Sequence, residues 1–259
     1  MTASPMASTI NSPDKTQFIE EISLIIAAQN LTPTMMSQDF LKFSGIISQE
    51  WELSQQPVLN PNFAQLNFSN GVGITAQPRN ITLSESLTNK QPEELAIPLV
   101  AKKYIEKLPH AEYVGFSFSP KLLLPFPDKP QLVRQYITGN LLASGSWKKI
   151  GMTPVQAGIN LMYYLERCQL TMSVSEAKLQ KPQEQSITAI LFSGNFNYNL
   201  NLGQEQATDK ITQLNSFLDN WRTDLEEFRE IVNQKFLDSG TTDSSSSIGE
   251  TSLFPGQTL

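Results

Sequence analysis

One feature of this chain narrows its fold more than any other: the same succession of elements is written twice. A strand, a short helix, three hairpin-linked strands and a closing helix can be traced before Pro109 and again after it. Six elements repeated head to tail predict two lobes of one design, 18–109 and 110–237. A polar, disordered lead (1–17) would precede them and a disordered Ser/Thr/Gly-rich tail (238–259) would follow.

The first lobe opens on Glu21–Ala28, EISLIIAA, an apolar run of strand length that periodicity alone does not distinguish from a turn of helix. Ser37 is placed to cap a short helix, Gln38–Phe43, which Gly45 stops. Ile46–Leu53, with Trp51 inside it, carries the chain across. Phe63–Ser69 alternates Ala64, Leu66 and Phe68 against Gln65 and Asn67, the period of a half-buried strand. Asn70-Gly71 then predicts a hairpin of type I′, with φ > 0 at both residues. Val72–Gln77 returns, Pro78-Arg79-Asn80 turns, and Ile81–Ser86 follows. A helix within Glu93–Leu108 closes the lobe, with Pro98 at its first position and Leu99, Val100 and Leu108 as its buried stripe.

The second lobe repeats this order. Glu112–Ser119 reads as a strand carrying Tyr113, Phe116 and Phe118, and Pro120–Pro130 as a proline-rich connector. A helix near Gln131–Leu142 leads to Gly145-Ser146-Trp147, which sets Trp147 where Trp51 stands in the first lobe. Val155–Leu165, Gln169–Ala177 and Ser186–Phe196 supply three strands. By position, FAQLNF corresponds to QAGINL and NITLSES to CQLTMSVSE. Glu205–Leu237 reads as one long helix, because Ile211, Leu214, Leu218, Trp221, Leu225, Phe228 and Val232 recur at alternating spacings of three and four. Phe217, Ile231 and Phe236 widen that seam, which favours a helix lying on a sheet over a coiled-coil partner.

Two β-α-β-β-β-α units in one chain resemble the TATA-binding-protein-like arrangement. That resemblance implies an α+β fold in which tandem duplicated units share one curved antiparallel sheet with helices on one face. It rests on element order and carries no function. The stretch LTPTMMSQDFLKFSGIISQEWEL, with the later PVLNPNFAQLNFSNGVGITAQPRNITLSES, is similar to a family of uncharacterised proteins recurrent in cyanobacteria. That likeness covers Glu21–Leu87 best and brings no activity and no functional residues with it.

Composition removes several functions. A net charge of −6 and a pI near 4.9 disfavour a nucleic-acid partner, whose phosphates demand clustered Lys and Arg. The dense basic spots, Lys102-Lys103 with Lys107 and Lys148-Lys149, read as solvated faces. Cys168 is the sole cysteine, so no intramolecular disulfide forms. No run approaches the ~20 apolar residues of a membrane span. The first residues lack the basic and apolar regions of a secretory signal, which makes a cytoplasmic location the default.

Catalytic signatures are likewise missing. His110 is the sole histidine and falls between two elements, where it reads as a surface-turn residue. Cys168 lies at a strand boundary beside Arg167, whose side chain would point to the other face of a strand, so a structural thiol is expected. The adjacent pairs Glu20-Glu21, Glu93-Glu94 and Glu226-Glu227 do not converge on one point. Glu226, Glu227 and Glu230, with Arg222 and Arg229, read as the solvated face of the last helix, and Asp39 as a helix-start charge. The glycines at 71, 73, 139, 145 and 151 fit no phosphate-binding loop. No catalytic, cofactor-binding or metal-binding residue is therefore assigned, and no cofactor is expected.

Two surfaces stand out as binding candidates. Tyr163-Tyr164, Phe192, Phe196 and Tyr198 cluster in the second half, with Asn195, Asn197 and Asn199 on the opposite face of their strand. The expected function is a non-catalytic binding or adaptor protein that holds a protein partner on a concave, Gln/Asn/Ser/Thr-lined sheet face or in the inter-lobe groove. The alternative is a small-ligand binder or atypical enzyme with its site in the inter-lobe cleft.

Overall fold

The structure, a computed structural model, describes residues 18–127, 129–180, 186–200 and 207–237. The expected lead, the tail and the start of the last helix at Glu205 lie outside the described residues. The fold is α+β. Among the described residues nine strands form one open antiparallel sheet: β1 (Ile19–Ala28), β2 (Val58–Asn60), β3 (Phe63–Asn67), β4 (Val72–Gln77), β5 (Asn80–Ser86), β6 (Tyr113–Pro125), β7 (Gly158–Tyr164), β8 (Gln169–Leu179) and β9 (Ile187–Asn199). Their spatial order is β2-β3-β4-β5-β1-β6-β9-β8-β7. The strands before and after Pro109 thus meet at a central β1–β6 pair, which runs in register from Ile19↔Leu123 to Ala27↔Gly115.

Side chains alternate across the sheet, and one set is buried. Ile22, Leu24, Ile26 and Ala28 of β1 are fully enclosed, as are Phe116 and Phe118 of β6 and Phe192, Phe196 and Tyr198 of β9. The helices cover this face: α1 (Gln38–Phe43), α2 (Ile97–Lys107), α3 (Pro130–Gln135), α4 (Ala207–Asp219) and α5 (Trp221–Glu230). Their inward residues, Val100, Tyr104 and Ile105 on α2 and Leu214, Leu225 and Phe228 on α4 and α5, join the strand residues in one core. Each large apolar side chain so enclosed contributes about 1.5–3 kcal/mol. The β6–β9 contact is aromatic, with Phe116 against Tyr198 and Phe118 against Phe196, both at 6.0 Å between ring centres.

Local chemistry explains the boundaries. The Ser37 side chain accepts from the Phe40 N–H at 3.1 Å and starts α1, and Gly45, at φ +73°, follows its end. The Asn70-Gly71 hairpin is present but is not type I′. Gly71 has φ +87°, whereas the non-glycine residues with positive φ are Arg79 and Asn89. Three residues, 69–71, bridge Phe68 and Val72, with the Gly71 N–H donating to the Phe68 carbonyl at 3.0 Å. Asn70 Oδ1 accepts from the Val72 N–H at 3.1 Å, so its side chain supports the turn without a left-handed backbone.

Four expectations need correction, and one element is new. The connector Pro120–Pro130 begins as strand, because β6 runs through Pro120 to Pro125. Pro120 lacks an N–H, and the β6–β9 pairing lapses there, between Phe118↔Phe196 and Lys121↔Ser193. Gly194 of β9 fills the opposite position, where a Cβ would come within 2.9 Å of the Phe228 ring and 3.3 Å of Pro120. A short edge strand, β2, adds to the expected strands, between Ile46–Leu53 and Phe63–Ser69, where no element was assigned. Leu99 is exposed, and Ile97, Ala101, Tyr104 and Ile105 join Val100 in the buried stripe of α2. The last helix breaks at Asn220, whose N–H donates to the Phe217 carbonyl in a tight turn at 3.2 Å before α5 begins. Finally, NITLSES lies in β5, between β4 and β1, while CQLTMSVSE lies in β8, between β7 and β9, so the two occupy different places in the sheet.

Candidate functional site: the open face of the sheet and the buried cluster beneath it

The side chains that alternate with the core point away from the helices and form the outer face of the sheet. From β3 to β7 they include Gln65 and Asn67, Thr75 and Gln77, Thr82 and Ser84, Ser117 and Ser119, Asn195 and Asn197, Thr171 and Ser173, and Asn160. Short hydroxyl and amide side chains tie neighbouring strands together. Ser117 Oγ donates to Asn197 Oδ1 at 3.1 Å, Ser119 Oγ to Asn195 Oδ1 at 3.4 Å, and Ser173 Oγ to Asn160 Oδ1 at 2.5 Å. The strand positions of this face carry one charged pair, Glu21 with Lys121 at 2.9 Å, on the central β1–β6 seam. The result is a broad uncharged surface of donors and acceptors, interrupted by the apolar side chains of Ile25, Leu123 and Leu191.

Beneath it, on the core side, lies a cluster of strongly perturbed titratable groups that contains a buried carboxylate. Asp224 of α5 is fully buried. Its Oδ1 accepts from Arg167 Nε at 2.9 Å and Nη2 at 2.6 Å, and its Oδ2 accepts from the Tyr198 hydroxyl at 2.8 Å. Arg167, in the β7–β8 turn, also binds Glu227. Burial pushes the Asp224 carboxyl up, while Arg167 and Tyr198 favour its carboxylate. Burial, and next Asp224, push the Tyr198 hydroxyl up as well. Cys168 adjoins this cluster half-buried, and burial, then the Asp224 charge, push its thiol up to about 11. That thiol stays protonated near neutrality, the reverse of what a nucleophile needs. The cluster fastens α5 to the sheet.

The other residues singled out in the sequence do not converge. His110 is exposed in the turn between α2 and β6. Glu20 and Glu21 take opposite faces of β1: Glu20 binds Arg229 of α5 at 2.8 and 2.5 Å, and Glu21 binds Lys121. Glu227 and Arg229 are thus engaged with the body of the protein, which corrects their reading as solvated. Glu94 accepts from the Gln91 N–H at 2.6 Å to cap a turn, and Glu93 lies 3.5 Å from Arg222 at the surface. Phe192, Phe196 and Tyr198 are core, so the expected aromatic binding cluster reduces to Tyr163 and Tyr164 at the sheet edge. Trp51 packs edge-on against Phe68 at 5.2 Å, whereas Trp147 sits under Lys148 Nζ at 5.4 Å, so the two tryptophans have unlike surroundings. Two depressions, of about 300 and 470 Å³, lie beside the start of β7 and against residues 150–156, and neither is lined by Cys168 or His110.

Asp224 was missed in the sequence although a signal was present. It stands three residues after Trp221 and four before Phe228, on the apolar seam itself. An acid on that stripe must be either paired or expelled. Glu85 of β5 is a second case: 2% exposed, it accepts from the N–H groups of Ala96 at 2.8 Å and Ile97 at 3.1 Å, and from Lys90 Nζ at 2.7 Å. No group of three or more metal-ligating side chains occurs among the described residues. No described helix is long and apolar enough to cross a membrane. Compared with known protein families and with curated proteins, the chain matches none.

Proposed function

We propose that this chain is a non-catalytic binding or adaptor protein that holds a protein partner on the open face of its sheet. The observation that carries the reading is the neutrality of that face: hydroxyl and amide side chains on seven of the nine strands, with Glu21–Lys121 as the one charged pair at strand positions. At ~4.8 Å per strand the face is about 40 Å wide, ample for the ~800 Å² that each partner contributes to a standard interface. A face whose described strand positions hold a single, already paired lysine offers little to a phosphate backbone. The small-ligand alternative would need a deep pocket with convergent polar groups, and the two depressions do not adjoin the perturbed cluster.

We also propose that the halves descend from one duplicated β-α-β-β-β-α unit, that the protein works in the cytoplasm, and that it belongs with the cyanobacterial proteins it resembles over 21–87. The strand orders β3-β4-β5-β1 and β7-β8-β9-β6 support the duplication, while β2 and the unlike tryptophans depart from it. The binding reading is tested by affinity capture with two variants. Thr82→Arg with Asn197→Arg, on the open face, should abolish recovery of a stoichiometric partner. Arg222→Glu, on the helix side, should not. Recovery that survives the face substitutions overturns the proposal.

A further inference from the structure

The two edges of the sheet are built differently. At one edge β2 has three residues and lies between Pro57 and Pro61, so little backbone is offered there. At the other edge β7 has seven residues, GINLMYY, with no charge and no proline, and pairs unbroken with β8 from Gly158↔Ser175 to Tyr164↔Gln169. Nothing among the described residues pairs with its outer side. Met162 (57% exposed), Tyr163 (41%) and Tyr164 (82%) stand open along it. A long, neutral, apolar edge is a template for another strand, and stable proteins blunt or occupy such edges.

We propose that β7 pairs antiparallel with β7 of a second copy, joining two sheets across a two-fold axis. The hydrogen bonding of the hairpin fixes which groups are free. The Leu165 N–H donates to the Cys168 carbonyl at 2.9 Å, so Leu165, Tyr163, Leu161 and Ile159 bond towards β8. Gly158, Asn160, Met162 and Tyr164 therefore aim their N–H and C=O groups outward. One register pairs all seven residues with a second β7 and forms about eight inter-strand hydrogen bonds. It sets Asn160 opposite Met162 and Leu161 opposite itself on the axis. Ile159 then meets Tyr163, a β-branched/aromatic pair, and Gly158 meets Tyr164, whose ring covers the glycine. Charge agrees: the strand bears none, and Glu166 beyond its end falls opposite Gln156, so no like charges meet. Self-complementarity of this kind is what an isologous contact requires. The dimer does not depend on the open face holding a partner.

Sedimentation equilibrium on the full chain tests the proposal, with twice 28.9 kDa expected. Met162→Pro removes an outward N–H that no described residue of the chain accepts, and should give a monomer with an unchanged circular dichroism spectrum. Val58→Lys, on the β2 edge, should remain dimeric. Leu161→Cys in a Cys168→Ala background reads the register directly. Opposed Cα atoms in a non-hydrogen-bonded pair lie about 4.5 Å apart, so an intermolecular disulfide should form on mild oxidation. A chain that stays monomeric at about 100 µM, where a weak specific pair assembles, overturns the proposal. So does a Leu161→Cys dimer that fails to cross-link.

Discussion

Glu85 on β5 and Asp224 on α5 are both closed off from solvent, at 2% and 0% exposure, yet one carboxylate is held mainly by backbone and the other by side chains. Glu85 reaches from strand to helix. It accepts from the N–H groups at the start of α2, which carry the positive end of the helix dipole, and from Lys90 five residues along. Asp224 reaches from helix to sheet, and its partners Arg167 and Tyr198 lie 57 and 26 residues away in sequence. The first anchor is local, so α2 and β5 can find each other early. The second closes only when β8, β9 and α5 are all in place, and it makes the last helix conditional on the whole second half.

That contrast can be broken in order of severity. Asp224→Ala should cost about 3 kcal/mol, because it strands the Tyr198 hydroxyl and half-frees Arg167, and the urea midpoint reports it. Glu85→Ala should cost about 2 kcal/mol by leaving two helix-start N–H groups unsatisfied. Its effect should add to that of Asp224→Ala within a few tenths of a kcal/mol, since the two share no partner. Tyr198→Phe should cost about 1.5 kcal/mol alone and far less beside Asp224→Ala, and a double-mutant cycle separates those outcomes.

The pH dependence sharpens the same picture. Burial raises the Cys168 thiol from 9.0 to about 11, Tyr136 from 10.0 to about 12, and Tyr104, Tyr113 and Tyr198 upward as well. Above those unperturbed values the unfolded chain has released protons that the folded chain still holds. The stability that these thiol and phenol groups contribute is therefore intact below pH 9.0, falls as pH rises past it, and falls faster past 10.0, where the tyrosines join. Cys168→Ala should flatten the first part of that decline and leave the second. The smallest effect belongs to Tyr104→Phe. The Tyr104 hydroxyl is buried with no hydrogen-bond partner among the described residues, so its loss should leave stability unchanged or raise it by up to about 1 kcal/mol.

The sequence made most strands legible because alternation is a local signal: Ala64, Leu66, Val72, Ile74, Ile81 and Leu83 are all buried where the period required. Ser37 and the Asn70-Gly71 hairpin, though not its turn type, were legible for the same reason. Pro120 misled because the rule against proline in a strand is local. It yields when both neighbouring strands supply matching positions, Ile22 on one side and Gly194 on the other. The break at Asn220 was hidden by a seam that continues across it. Of the polar outer face, the Asn row on β9 was visible, but its Ser117 and Ser119 partners depend on which strands become neighbours. Asp224 stood on the apolar seam, a signal that it must be paired, but its partner Arg167 comes from a distant turn that no local pattern names.

The seam between β1 and β6 has a consequence for how the molecule could be taken apart. Ten residues of one strand and thirteen of the other form the middle of the sheet, and Arg229 clasps Glu20 across it. Severing the chain near Pro109 would give two fragments, each with a bare flank whose natural mate is the other. Mixed, they should reconstitute the parent, which would make this protein a scaffold for split-reporter assays.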